Sequence, residues 1–277
     1  MSGRVILVTG STDGIGKATA RQLAAGGAAV IVHGRDPEKG RQVIRDLKGQ
    51  VWNRDLDLVT ADFTSLEQVR RMAAEVSSRY SHLDVLVNNA GTYEKQRSLT
   101  PDGNETTFAV NSLAPFLLTH ELLPLLRKGH VPRVVNITSI AHREVRQVDW
   151  ENLHGEKRYD AFEAYALSAL AQVVLTFGTA RRIAGSGVSV NCLHPGVVAT
   201  RMLRAGFPGI RGNAPREGAK LPVYLALSPD VEGVTGEYFE ESVQPTLPSD
   251  LSRSRSVQER MWEIAAKLIA CDAWSRE

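Results

Sequence analysis

The sequence predicts an α/β fold, one doubly wound parallel sheet with helices on both faces, on three observations. Short apolar runs of strand length alternate with stretches of helical periodicity from Val5 to Phe239, with no linker between them. The first run, Val5-Ile6-Leu7-Val8, enters a glycine turn at once, with Gly10, Gly14 and Gly16 ahead of a helix. A second apolar run, Ala28–Val32, follows that helix, as a βαβ unit requires.

Taken in order, Val5–Val8 is a strand because consecutive apolar residues suit a sheet covered on both sides. Ile15–Ala25 is a helix, its part from Lys17 onward carrying helix formers with apolar residues at helical spacing. Ala28–Val32 is a strand, and Pro37–Leu47 a helix with Asp36 placed to cap it. Leu56–Thr60 is a strand, Ser65–Ser78 a helix, Leu83–Val87 a strand and Gly103–Leu126 a long helix. Arg133–Thr138 is a strand, Ala161–Ile183 a second long helix and Val188–Cys192 a strand. Lys220–Leu227 reads as helix and Tyr238–Phe239 as a last short strand. The alternation makes residues 1–277 a single Rossmann-type domain. Its least regular piece, Pro195–Glu217, holds four glycines and three prolines and is expected to be a loop lying over the site as a lid. Val257–Ile269 returns to helical spacing, with Met261, Ile264, Ala265, Leu268 and Ile269 forming one apolar face for the domain or a sister subunit.

Composition excludes several classes. Hydrophobic content of 43% and charged content of 23% are those of an ordinary globular chain. A net charge of +2 points neither to nucleic acid nor to a membrane surface. The two cysteines, Cys192 and Cys271, form no disulfide framework and no metal-ligand spacing, which fits a reducing compartment. The first strand begins at Val5, leaving no room for a signal peptide, so the cytoplasm is the expected location. The most apolar run, Leu113–Leu126, is interrupted by Pro115, His120, Glu121 and Pro124 and is too short to span a bilayer.

The chemistry begins at the glycine turn. Strand, turn and helix make a phosphate cradle, since the helix start offers unpaired N–H groups and partial positive charge to an anion. The spacing Gly-x-x-x-Gly-x-Gly differs by one residue from the usual dinucleotide form. The end of the second strand selects the cofactor, because a carboxylate there holds two ribose hydroxyls whereas a guanidinium holds a phosphate. The chain reads Ile31-Val32-His33-Gly34-Arg35-Asp36, with no acidic residue at the strand end. Arg35 favours NADP over NAD, Asp36 being taken up as a helix cap.

Over almost its whole length the chain resembles the short-chain dehydrogenase/reductase superfamily. The resemblance rests on Thr9-Gly10-x-x-x-Gly14-Ile15-Gly16, Asp62, Asn88-Asn89-Ala90-Gly91, Asn111, Ser139, Tyr165, and His194-Pro195-Gly196 with Thr200. The order and spacing of these motifs together are specific where each alone is not. The stretches from Arg158 to Tyr165 and from Val188 to Gly196 look most like the retinol-dehydrogenase-like branch. The resemblance implies that Gly10, Ser11, Asp13, Gly14, Ile15 and Gly16 hold the cofactor, with Arg35 at its 2′-phosphate. It implies that Asp62 accepts from the adenine amino group, that Asn88 and Asn89 lie at the sheet edge beside the adenosine with Ala90 among the cofactor contacts, and that Gly91 leaves room for the ribose. Pro195, Gly196, Val198 and Thr200 are then expected at the nicotinamide. Tyr165 becomes the proton donor (and a cofactor contact), Ser139 the anchor of the carbonyl oxygen, and Asn111 a helix-kink residue joined to a water relay. Read without the resemblance, Asp62 is equally a helix cap ahead of Ser65, and Tyr165 a core aromatic.

One position departs from the family pattern Tyr-x-x-x-Lys: the chain reads Tyr165-Ala166-Leu167-Ser168-Ala169. The family lysine binds the ribose hydroxyls, lowers the tyrosine pKa and passes protons onward. Alcohol oxidation, which needs a base, should suffer more from its loss than reduction, which needs a neutral phenol. Lys157 and Arg158 are the nearest replacement cations in sequence. The expectation is an NADP(H)-dependent oxidoreductase acting on an apolar aldehyde, ketone or alcohol, impaired or altered at Ala169. The alternative is a cofactor-binding protein without redox turnover, or one with non-redox chemistry. No metal is expected, and pairing of two copies through the long helices Gly103–Leu126 and Ala161–Ile183 remains open.

Overall fold

The computed structural model describes residues 3–53 and 55–270. The strands are β1 (Val5–Val8), β2 (Ala29–Gly34), β3 (Leu56–Thr60), β4 (Val85–Asn88), β5 (Arg133–Ile137), β6 (Ser189–His194) and β7 (Tyr238–Glu240). They form one sheet in the order β3-β2-β1-β4-β5-β6-β7. Every pairing is parallel; Leu7, for example, stands between Ile31 and Leu86. The chain reverses its direction of travel across the sheet between β1 and β4, and ligands of doubly wound folds bind at the strand ends beside such a point.

The helices are α1 (Gly14–Ala25), α2 (Pro37–Gln50), α3 (Leu66–Arg79), α4 (Thr106–Leu126), α5 (Ala161–Arg182), α6 (Arg201–Gly206), α7 (Pro215–Gly218), α8 (Lys220–Leu227), α9 (Asp250–Arg253) and α10 (Arg255–Leu268). Alternate strand residues feed two cores. Leu7, Ile31, Leu86, Val134 and Val190 pack under α3, α4 and α5. Ile6, Val8, Val32, Val87, Val135 and Leu193 pack under α1, α2 and α8. Asp36 and Ser65 cap α2 and α3 through their side chains.

The structure redraws two expected elements. The first long helix starts at Thr106, not Gly103, because the buried Glu105 carboxylate accepts from the Thr107 and Phe108 N–H groups and sets the start. This helix also carries a π turn at Ala109–Leu113, where the Ala114 N–H reaches back five residues to the Ala109 carbonyl. Pro115, with no N–H of its own, follows directly. Finally, Pro195–Glu217 is more ordered than a bare loop: it contains α6 and α7, and Val198 pairs with Asn213 through reciprocal backbone bonds across Ala199 and Val197, each of 2.8 Å.

Two helices, Thr106–Leu126 and Ala161–Arg182, are long and apolar enough to cross a membrane, with 78% and 67% of their most apolar windows buried in the fold. The last helix, α10, lies on α5. Met261, Trp262 and Ala265 are buried there, Trp262 stands edge-on to Phe116 at 4.8 Å, and the Arg182 guanidinium sits 3.9 Å from the Trp262 ring. Gly178 on α5 makes this contact fit, since a Cβ there would lie 2.7 Å from Trp262. Of the two partners expected for the C-terminal apolar face, the chain itself supplies one.

Candidate active site

The C-terminal ends of the strands open into a cavity of about 670 Å³. At one end the turn after β1 and the first residues of α1 form its wall. Gly10 has φ of +60°, and a Cβ on it would meet the Ala90 backbone at 2.7 Å. A Cβ on Gly16 would lie 2.3 Å from Asn89 Nδ2 and 2.4 Å from the Gly10 carbonyl. Asn89 holds this turn, its amide donating to the carbonyls of Thr9 at 2.8 Å and Gly10 at 3.2 Å. Gly14, Ile15 and Gly16 line the cavity as the opening residues of α1, where the N–H groups of Ile15 and Gly16 are the anion donors of a helix start. Asp13 caps that helix, accepting from the Gly14 N–H. A dinucleotide fits this cradle on its backbone geometry alone.

Of the seventeen expected site positions besides Ser11, each lines the cavity: Gly10, Asp13, Gly14, Ile15, Gly16, Arg35, Asp62, Asn89, Ala90, Gly91, Asn111, Ser139, Tyr165, Pro195, Gly196, Val198 and Thr200. Ser11 faces inward. It is buried, donates to the Val8 carbonyl at 2.7 Å and accepts from the His33 N–H at 2.9 Å, which ties β1 to β2. Thr12 takes its place on the cavity wall. Asp62 keeps one oxygen on the Thr64 N–H and hydroxyl at 3.0 and 2.9 Å, a local turn that leaves its other oxygen for a ligand. Asn88 is buried away from the cavity, bonded to Thr119 and Asn136.

His33 was not singled out by the sequence. Its Nδ1 accepts from the Gly10 N–H at 3.0 Å and its Nε2 donates to the Ala61 carbonyl at 3.1 Å, which assigns the neutral Nε2–H tautomer. It also stacks on Phe63 at 4.5 Å. Burial lowers its pKa from 6.5 to about 4, against smaller raising effects of the Ala61 carbonyl and Asp62. The folded pKa is depressed below the unfolded one, so protons favour the unfolded chain. Stability is therefore full above pH 6.5 and is lost as pH falls towards 4, by about 3 kcal/mol from His33 alone. Urea unfolding midpoints between pH 7.5 and 4.5 should fall accordingly, and His33→Phe should flatten that slope. Burial also holds His194 at about 4, with the same sign.

At the other end of the cavity stand Ser139 and Tyr165. The Ser139 hydroxyl accepts from the Ala141 N–H at 3.2 Å, and its backbone carbonyl is held by His142 Nδ1 at 2.9 Å. Burial raises the Tyr165 pKa above 10; a hydrogen bond with Ser139 pulls it back in part, while Tyr93 adds to the rise. Asn111 sits on the π turn of α4. Its amide donates to the Thr92 carbonyl and to Ser168 Oγ, both at 3.0 Å, and its oxygen accepts from the Thr92 N–H at 2.7 Å. The side chain is thus committed to holding the loop after β4 against α5.

Around Tyr165 the wall is aromatic. Tyr93 and Phe207 lie 5.5 and 5.9 Å from its ring, and Phe162 lies 6.1 Å from Phe207. Ile140, Phe162, Val197 and Ile210 are exposed apolar residues of the same cavity. None of these was identifiable from sequence, because they come from three connections after different strands and from the first turn of α5.

Ala169 is buried on the cavity wall, its carbonyl accepting from Thr138 Oγ1 at 3.0 Å. The two cations nearest in sequence do not replace the lysine. Lys157 pairs with Glu151 and Arg158 with Glu163, both at 2.6 Å and exposed, and neither lines the cavity. Among the described residues the Lys and Arg side chains that do line it are Arg35, Lys39 and Arg201. No cluster of metal-ligating side chains occurs among the described residues. Cys192 is buried, and burial pushes its thiol pKa upward; Cys271 lies outside the described residues.

A family model for short chain dehydrogenases matches residues 4–209. Human retinol dehydrogenase 13 is 34% identical, over 98% of this chain and 86% of its own length. An uncharacterised protein from Mycobacterium paratuberculosis superposes with a TM-score of 0.82 at 28% identity, over 98% of this chain and 94% of the other. A short chain dehydrogenase from Shigella flexneri, crystallised with NADP, superposes at 0.73 with 28% identity, over 87% and 98% of the two chains. The chain belongs to the short-chain dehydrogenase/reductase family, whose members bind nicotinamide cofactors and interconvert carbonyls and alcohols. Within that family it falls in the retinol-dehydrogenase-like branch.

Proposed function

We propose that the protein is an NADP(H)-dependent oxidoreductase that interconverts an apolar aldehyde or ketone with its alcohol, slowed by the alanine at position 169. The observation that carries this is one cavity with a dinucleotide cradle at one end and the Ser139–Tyr165 pair under an aromatic wall at the other.

The bound cofactor supplies or accepts the hydride. Ser139 and Tyr165 both direct hydroxyls at the carbonyl oxygen, Ser139 to hold it and Tyr165 to give it a proton as charge develops. The raised pKa keeps Tyr165 protonated at neutral pH, which suits reduction and opposes oxidation. Pro195, Gly196, Val198 and Thr200 form the wall for the nicotinamide end, and Asp62, Asn89, Ala90 and Gly91 the wall for the adenosine.

Arg35 and Lys39 at the far end of the cavity support NADP, as does the capping role that occupies Asp36. Arg35→Ser should weaken NADPH binding about 10- to 100-fold and leave NADH little changed, measured by cofactor fluorescence titration. Equal losses for both cofactors would remove Arg35 from the phosphate site. The apolar rim, from Ile140 to Ile210, supports an apolar substrate. The cysteine usage supports a reducing compartment such as the cytoplasm. Because α10 covers α5, the chain should run as a monomer of about 30 kDa in light scattering.

A second reading, cofactor binding without turnover, is favoured by Ala169 itself. NADPH binding and NADPH-dependent reduction of an aldehyde panel, measured on this chain and on Ala169→Lys, separate the two. Sustained oxidation of NADPH by this chain supports the enzyme; binding with turnover in neither chain supports the second reading.

A further inference from the structure

His194 ends β6 and lines the cavity, yet it is 93% buried and its Nδ1 has no hydrogen-bond partner among the described residues. Buried polar atoms without partners are rare in folded proteins and call for an explanation. The other two buried histidines of this region have both ring nitrogens engaged: His33 on Gly10 and Ala61, His142 on Ser139 and Ser249.

Strand and helix periodicity put His194 and Ala169 on facing sides of β6 and α5, and both line the cavity. Along β6, Leu193 points into the core under α1 and α8, so Cys192 and His194 point to the opposite face. There Cys192 packs against Val173 of α5 and Tyr238. Ala169 precedes Val173 by one helical turn, on the same face. In a parallel αβ unit the helix runs opposite to its strand, so the step from Cys192 to His194 is matched by the step from Val173 back to Ala169. Thr138 ties the two ends together. Its N–H donates to the Leu193 carbonyl at 2.8 Å and its hydroxyl to the Ala169 carbonyl at 3.0 Å.

We propose that His194 is the positioning residue that takes over proton return to Tyr165, acting through water held in the space that Ala169 leaves open. This rests on the oxidoreductase reading above. In each reduction a hydride from the reduced nicotinamide reaches the carbonyl carbon. The Tyr165 O–H bond breaks and the alcohol O–H bond forms. Water then protonates the phenolate and is itself reprotonated from solvent along the hydrogen-bonded water that the imidazole holds in place. The ring keeps its own proton throughout and stays neutral. Burial supports that state, with Glu240 pulling the pKa up and His142 and Arg143 pushing it down, for a net value of about 4. A neutral ring keeps one N–H and one lone pair, the two features a relay needs.

The test is a double-mutant cycle of His194→Phe with Ala169→Lys, followed by steady-state NADPH-dependent reduction of an aldehyde. In the given chain His194→Phe should lower kcat about 10-fold or more with KM for the aldehyde little changed. In the Ala169→Lys chain, where an ammonium takes the relay, the same change should cost less than about 2-fold. His194→Gln, which restores a polar group, should recover part of the loss. Equal losses in both backgrounds, or a loss confined to KM, would mean a structural role and overturn the relay. The cofactor-free protein gives an independent readout: the His194 ring-proton NMR signal, assigned by its loss in His194→Phe, should shift in Ala169→Lys. An unmoved signal would overturn the placement. Turnover in neither chain would overturn the oxidoreductase reading and the relay with it, whereas turnover with equal losses overturns the relay alone.

Discussion

Ala169→Lys is expected to accelerate alcohol oxidation at least about 150-fold near pH 7.5 and carbonyl reduction much less. Oxidation needs a phenolate at Tyr165 to take the alcohol proton. An ordinary tyrosine titrates near 10, and burial holds Tyr165 above that, with the Ser139 hydrogen bond only a partial offset. Half-ionisation at pH 7.5 would take about 3.4 kcal/mol for an ordinary tyrosine and more for the buried Tyr165, a stabilisation of the phenolate that a cation within a few ångströms can supply. Ala169 already lines the cavity, so a longer side chain there grows into open space rather than into packed core. The sign is definite, because an ammonium favours the phenolate and lowers the Tyr165 pKa. The oxidation rate of the given chain should therefore climb with pH up to at least 10, and that of the lysine variant should level off earlier. Initial rates in both directions between pH 6 and 10 measure this. Unchanged rates in the variant would show that another group already serves the relay, and Lys157 is not that group, since it is paired with Glu151 outside the cavity.

The fold was legible because its signals are local. Four apolar residues followed by glycines announce β1 and the cradle whatever surrounds them, and alternating periods announce each later crossover. The same locality explains the boundary errors. Whether a helix begins at Gly103 or Thr106 is decided by the Glu105 carboxylate, and the π turn by the chain geometry just before Pro115. At the site, sequence placed residues on strand ends but could not tell which way each side chain faces. Ser11 and Thr12 are adjacent and equally polar, yet Ser11 is drawn into the β1–β2 seam and Thr12 is left to the cavity. His33 was unreadable for a related reason: its role is to accept from the Gly10 N–H, a contact between β2 and the turn that follows β1. The aromatic wall joins Tyr93 after β4, Phe162 in the first turn of α5 and Phe207 at the end of α6, segments far apart in the chain that no spacing rule joins.

Tyr165→Phe should reduce NADPH-dependent carbonyl reduction about 1,000-fold while leaving NADPH affinity within about 3-fold. The substitution removes the hydroxyl and nothing else. The Phe ring keeps its places beside Tyr93 and Phe207, and the phenol's hydrogen-bond partner is Ser139, itself held by Ala141, so the fold has little to lose. Thermal midpoints should accordingly agree to within a few degrees. Ser139→Ala should cost less, about 100-fold, because it removes one donor to the carbonyl oxygen but leaves the proton donor in place. It should also raise the Tyr165 pKa further, since the Ser139 hydrogen bond is what lowers it. The order of the two losses is the informative part. If Ser139→Ala were the more damaging, the serine would be the acid and Tyr165 a wall residue. If Tyr165→Phe retained the native rate, proton delivery would come from water or another side chain, and the short-chain dehydrogenase geometry of this cavity would be serving binding rather than turnover.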